Sequence, residues 1–197
     1  MTWADITAPF ADCPTEQSWE RQLLFVRHGA TAPNEAGLRC GGDLDVPLSD
    51  LGRSQVHDIA ERIALLRPPI GLIVTSNLRR TRETAAIIKH RLGHVPLTVD
   101  AGFTERQLGG WNLLSLDETR PWLGGGMTPP GGESNDEFAR RIGAALRRLL
   151  PRLGERPLLV ASRGVARILG ELTGRAPRRE HANTELDVFD LSRFDAA

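Results

Sequence analysis

One run constrains this chain more than any other: Leu23-Leu24-Phe25-Val26-Arg27-His28-Gly29-Ala30-Thr31. Four apolar residues in succession, broken by Arg-His-Gly, read as a strand buried on both faces. Gly29 lets the chain turn sharply as it leaves that strand. Arg27 and His28 are therefore expected at the carboxyl end of an interior strand, where open α/β sheets place ligand sites. An imidazole with an ordinary pKa of roughly 6.5 is mostly neutral at pH 7, and the neutral ring is the nucleophilic form. A guanidinium beside it suits phosphate, because its planar fork pairs with two oxygens at once. The pair points to transfer of a phosphoryl group onto His28. A solitary histidine more often packs or solvates than reacts, so the weight falls on the rest of the chain.

Strand and helix patterns alternate along the sequence. They predict a three-layer α/β/α sandwich with a mostly parallel sheet and room for one antiparallel strand at an edge. The first strand is read at 22–27. Ser49 is placed to cap a helix over 50–66, with Val56, Ile59, Ile63 and Leu66 on one face, and Pro68 and Pro69 end it. A second buried strand follows at 70–75, then a helix at 78–92 stopped near Gly93 and a short strand at 97–99. Residues 102–132, rich in Gly and Pro, read as an irregular segment over the site. Ser134-Asn135-Asp136-Glu137 has the capping-box pattern and opens a third helix. A third buried strand is read at 157–161 and a helix at 165–172. The weaker alternation at 185–191 reads as an edge strand. Residues 1–20 are expected to form an N-terminal extension and residues 21–197 a single domain.

The acidic and basic residues balance at 25 each, so no bulk field draws the chain to nucleic acid or an anionic membrane. No apolar run is long enough to span a bilayer. Cys13 and Cys40 form neither a disulfide framework nor a metal-ligand pattern. A reducing cytoplasm is the default expectation. The expected partner is a small phosphorylated substrate, with no cofactor and no metal.

The three buried strands end in Arg27-His28, Thr75-Ser76 and Ser162-Arg163. In a parallel sheet these ends share one edge. Arg80 falls in the first turn of the helix after the second strand, where free N–H groups favour phosphate. Neighbouring helix positions do not share a face, so Arg79, Arg80 and Arg82 cannot all point inward.

These pieces resemble the histidine phosphatase superfamily, the phosphoglycerate mutase-like fold. The resemblance rests on Arg27-His28-Gly29-Ala30-Thr31-Ala32-Pro33-Asn34; on Gly42 to Ser49 with Leu51-Gly52; on Ser76 to Thr81 with Thr84-Ala85; on Glu105 with Gly109 and Trp111; and on Pro130 to Ser134. It implies that His28 becomes phosphorylated, that Arg27 and Arg80 clamp the phosphoryl oxygens, and that Glu105 is the general acid that later activates water. It places Thr31 and Asn34 beside the phosphate or the substrate. Arg39 and Gly41, in the Gly-rich loop read at 37–47, are further candidates for contact with the substrate, as are Trp111 and Trp122. The resemblance favours a phosphatase over a mutase, because mutases of this family tend to carry extra enclosing segments.

One departure stands out. The family pattern carries a second histidine after the third motif strand, and this chain reads Ala161-Ser162-Arg163-Gly164-Val165 there. A gapless match puts Ser162 at that histidine, and a shift of one residue puts Arg163 there. His57, His90, His94 and His181 lie outside this context. Three outcomes follow: Arg163 acts as a substitute cation, Ser162 supplies one hydrogen bond to the anion, or the chain binds phosphorylated ligands with little turnover. The first two keep catalysis, and they are favoured because the other site groups are retained.

Overall fold

The computed structural model describes residues 19–175 and 181–194, so most of the expected extension lies outside the described residues. Five strands form one sheet: β1 (Gln22–Arg27), β2 (Leu72–Thr75), β3 (Leu97–Val99), β4 (Pro157–Ala161) and β5 (Leu186–Asp190). Their order is β3-β2-β4-β1-β5. All neighbours run parallel except β1 and β5. The helices are α1 (Ala32–Glu35), α2 (Asp50–Ala64), α3 (Arg79–Leu92), α4 (Leu116–Gly124), α5 (Asn135–Leu149) and α6 (Arg163–Leu172).

The layers follow from side-chain parity. Leu23 and Phe25 of β1 meet Phe138, Ile142 and Leu146 of α5 and Val165, Ile168 and Leu169 of α6. Leu24 and Val26 meet Val56, Ile59 and Ile63 of α2 and Ala85 and Ile88 of α3. Alternate residues of one strand thus feed two cores, which is why the run at 23–26 shows no polar alternation. The layered α/β/α reading and the antiparallel edge strand hold.

The caps are where the local sequence places them. Ser49 Oγ accepts the Gly52 N–H, and Ser134 with Glu137 forms a reciprocal capping box. Residues 102–132 differ from the expectation of an irregular segment. They contain α4, capped by Ser115 Oγ on the Asp117 N–H. Pro121 inside that helix hides it from a reading that treats proline as a stop, although Ser115-x-x-Glu118 carries the capping signal. Trp111, 5 % exposed, packs against Trp122 of α4 with ring centroids 5.3 Å apart. Both tryptophans are therefore spent at least partly on seating this helix.

Candidate active site

The register pairs Arg27 with Ala161 and Thr75 with Val160, so the ends of β1, β4 and β2 stand side by side. Val26 and Val160 both pack into the core beneath α2 and α3. His28 and Ser162, each two residues beyond an interior position of like parity, leave the sheet as neighbours at this edge.

His28 is buried. Its Nδ1 lies 2.7 Å from the Gly29 carbonyl oxygen. A carbonyl can only accept, so Nδ1 carries the proton and Nε2 keeps its lone pair. Burial drives the His28 pKa well below its ordinary value, and the charges of Arg80 and Arg27 push it further down; the Gly29 bond opposes them without prevailing. The ring is held neutral in the tautomer a nucleophile needs. Close packing of the turn behind it demands glycine: a Cβ on Gly29 would collide with the Gly52 carbonyl, and Gly29 N–H donates to Thr84 Oγ1 of α3 at 3.2 Å.

Arg80 is fully buried. Its Nη1 donates to the Leu44 carbonyl at 2.9 Å, and its Nη2 to the Gly41 carbonyl at 3.1 Å and the Cys40 carbonyl at 3.4 Å. Its Nε is buried without a hydrogen-bond partner among the described residues. Arg79 and Arg82, by contrast, are exposed, as the helix geometry requires. The expectation that the first N–H groups of α3 stand free for phosphate is corrected at Arg79, whose N–H donates to Asp45 Oδ1 at 2.6 Å. An internal carboxylate already caps that end.

Glu105 is half-buried and reaches the start of α6. Its Oε2 accepts from Gly164 N–H at 2.9 Å and its Oε1 from Arg106 N–H at 2.7 Å. A Cβ on Gly164 would collide with this carboxylate. Arg106 does not pair with it through its guanidinium, which donates instead to the Glu133 and Met127 carbonyls.

The remaining sequence candidates fall into two groups. Thr31 is buried and caps α1, where its Oγ1 accepts the Asn34 N–H at 3.4 Å; Asn34 Oδ1 in turn accepts from Asn183. Ser162 is 2 % exposed and its Oγ has no hydrogen-bond partner among the described residues. Arg163 is half-buried in the first turn of α6. Arg39, however, is engaged with α4: its Nε donates to Thr119 Oγ1 at 2.6 Å and its Nη2 to the Leu116 carbonyl at 3.1 Å. Gly41 serves loop closure, since its N–H donates to Asn112 Oδ1 at 2.7 Å and a Cβ there would crowd Leu108.

Two features of the site were not read from the sequence. Asp43 accepts from the Leu108 and Gly109 N–H groups at 2.9 and 2.8 Å. Burial works against its carboxylate, but hydrogen bonds from Asn112, Leu108 and Gly109 outweigh that and keep its pKa below the usual range. This ties the loop over Arg80 to the loop carrying Glu105. The second feature is Asn183, whose Nδ2 donates to the His28 carbonyl at 2.9 Å across 155 residues of sequence. In sequence the stretch His181-Ala182-Asn183-Thr184 before the last strand reads as a turn, which gives no sign of that contact. Among the described residues no group of three or more His, Cys, Asp or Glu is placed to hold a metal ion, and no helix is long and apolar enough to cross a membrane.

The edge thus gathers a neutral imidazole, two arginines whose charges bear on it, and Glu105 anchored at the start of α6. A profile of the histidine phosphatase superfamily (branch 1) matches residues 23–196. Phosphoglycerate mutase-like protein 4 of Arabidopsis thaliana is 34 % identical over 184 residues, covering 86 % of this chain and 79 % of its own length. A glucosyl-3-phosphoglycerate phosphatase of Mycolicibacterium vanbaalenii is 40 % identical over 130 residues, covering 61 % of this chain and 56 % of its own. Among solved structures, a mycobacterial glucosyl-3-phosphoglycerate phosphatase in complex with VO3 superposes with a TM-score of 0.71 at 31 % identity, covering 85 % of this chain and 92 % of that one.

Proposed function

Because this chain belongs to the histidine phosphatase superfamily, we propose that it hydrolyses a small phosphomonoester through a phosphohistidine on His28. The observation that carries this reading is the buried, neutral His28 ring, with Nδ1 committed to a carbonyl and two guanidinium groups bearing on it.

In the first step the Nε2 lone pair attacks phosphorus. The bond from phosphorus to the alcohol oxygen breaks, and Glu105 in its acid form protonates that oxygen as it leaves. Arg27 and Arg80 hold the three peripheral oxygens, with Arg80 Nε among the donors left for them. Phosphoryl transfer asks mainly for this kind of positioning and charge neutralisation. In the second step Glu105, now a carboxylate, takes a proton from water as the water attacks phosphorus. The bond to Nε2 breaks and phosphate departs. The unpartnered Ser162 Oγ supports a role for it as one hydrogen-bond donor to the anion, at the place where a gapless match to the family pattern carries an imidazole. No step here calls for a metal, since arginine supplies the positive charge.

The names of the relatives support sugar phosphates and phosphoglycerate derivatives as the compounds to try first. A mutase reading is supported by the similarity to phosphoglycerate mutase-like proteins. The test is incubation with p-nitrophenyl phosphate, 3-phosphoglycerate and glucosyl-3-phosphoglycerate, comparing the native chain with His28→Ala. Release of inorganic phosphate by the native chain alone is the expected result. Conversion of 3-phosphoglycerate to its 2-isomer would favour the mutase. Hydrolysis that persists in His28→Ala would end the phosphohistidine reading.

A further inference from the structure

Arg27 is positioned from outside the motif that carries it. Its Nη1 donates to the His181 carbonyl at 2.6 Å. Three residues on, Thr184 N–H donates to the Arg27 carbonyl at 3.0 Å, and Arg27 N–H donates to the Glu185 carbonyl at 3.2 Å. Between them Asn183 Nδ2 reaches the His28 carbonyl at 2.9 Å and Asn34 Oδ1 at 3.4 Å. One short segment therefore grips the nucleophile, its arginine and a candidate substrate residue. Thr184 sits there at φ +57°, in the left-handed region that β-branched residues disfavour, so the segment is held against its local preference.

The holding group is buried and lies outside the chemistry. Asp187 Oδ2 lies 2.8 Å from His181 Nε2 and accepts from Arg175 Nη1 at 2.8 Å. His181 and Asp187 are 7 % and 8 % exposed. The His181 ring stacks on Phe189 at 6.3 Å and meets Phe25 edge-on at 5.8 Å. Asp187 stands on β5 directly across from Phe25 of β1, two residues before Arg27. The Asp187 carboxylate stays ionised despite its burial, because bonds from His181, Arg175 and the Val188 N–H hold its pKa at about 2. A buried ionic cluster is a poor source of net stability, since desolvation offsets most of the attraction. Its geometric consequence is specific: it fixes the ring, hence the residue, whose carbonyl receives Arg27.

On the reading of Arg27, His28 and Arg80 as a phosphate site, we propose that Asp187 is a positioning residue: through His181 it sets where the Arg27 guanidinium lies, and so how tightly the site holds a phosphoryl group. Released from Asp187, the His181 carbonyl shifts, and Arg27 loses the anchor that aims its fork.

The test is vanadate affinity by titration calorimetry in a double-mutant cycle. Asp187→Asn removes the charge but keeps an acceptor. His181→Phe keeps the ring packed between Phe25 and Phe189 but breaks the bond to Asp187, and it serves if Asp187→Asn fails to fold. Each is expected to weaken vanadate binding on the order of tenfold in the native background and to add nothing in an Arg27→Ala background. A purely structural role predicts the same fold loss in both backgrounds. That additive result, or native affinity in a folded variant, overturns the assignment while leaving the hydrolase reading intact. Calorimetry needs no turnover, so a native chain that binds vanadate without hydrolysis leaves the cycle readable. A native chain that binds no vanadate at all overturns both.

Discussion

Arg80→Lys separates charge from geometry at this site. The native guanidinium spends Nη1 and Nη2 on the carbonyls of Leu44, Gly41 and Cys40 and keeps Nε apart. A lysine ammonium is one point on a flexible stem and cannot hold the loop and a fixed anion donor together. Losing one donor aimed at charge that develops in the transition state costs about 10² to 10³ in rate, or ~2.7–4 kcal/mol. Loss of the loop bonds adds about 1–3 kcal/mol of destabilisation, because buried carbonyls go unpaired. The positive charge remains, so the pressure on His28 remains, and the acid limb of the kcat/KM profile stays in place. Arg80→Gln removes the charge as well; the His28 pKa then rises and the acid limb moves to higher pH. The assay is p-nitrophenyl phosphate hydrolysis across pH for both variants, with melting curves to confirm folding. A Lys variant as active as the native chain, or a Gln variant whose limb does not move, would refute the assignment of Arg80 as both clamp and source of the His28 shift.

Glu105→Gln keeps an acceptor for Gly164 N–H but cannot move a proton, so kcat should fall about 10²- to 10⁴-fold; rapid quenching should then reveal accumulated phosphohistidine with an activated aryl phosphate, whose leaving group needs no acid. Ser162→Ala removes a hydroxyl that makes no bond within the described chain. Its melting temperature should hold or rise while kcat/KM drops, and an unchanged kcat/KM would assign the Ser162 hydroxyl no part in catalysis. The lowered His28 pKa also predicts acid sensitivity. Its contribution to stability is complete above the unfolded-state value of about 6.5 and is lost as pH falls through that value toward the folded one, because the unfolded ring takes up the proton first. Melting temperatures from pH 7.5 to 5 should therefore fall more steeply for the native chain than for His28→Asn. Equal slopes would contradict the burial of a neutral ring.

Much of this protein is legible locally. The run at 23–26 announces a strand covered on both faces, since each residue in turn must bury its side chain. Ser49 and Ser134 mark helix starts because a hydroxyl two or three residues ahead can satisfy an orphan N–H whatever the tertiary setting. The exit of Arg27 and His28 at a strand end follows from the same patterns. What a periodicity cannot say is which distant groups meet there. Asp45 takes the helix terminus expected to face phosphate, Arg39 turns to α4, and Glu105 lands on α6. These pairings depend on loop paths, and loops carry no repeating signal. The support of Arg27 by His181 spans 154 residues and exists only because β5 returns antiparallel beside β1. The chain's local chemistry chose the elements and the reactive pair; the sheet's order chose the neighbours that aim them, because only closure of the fold brings such remote groups within hydrogen-bond reach.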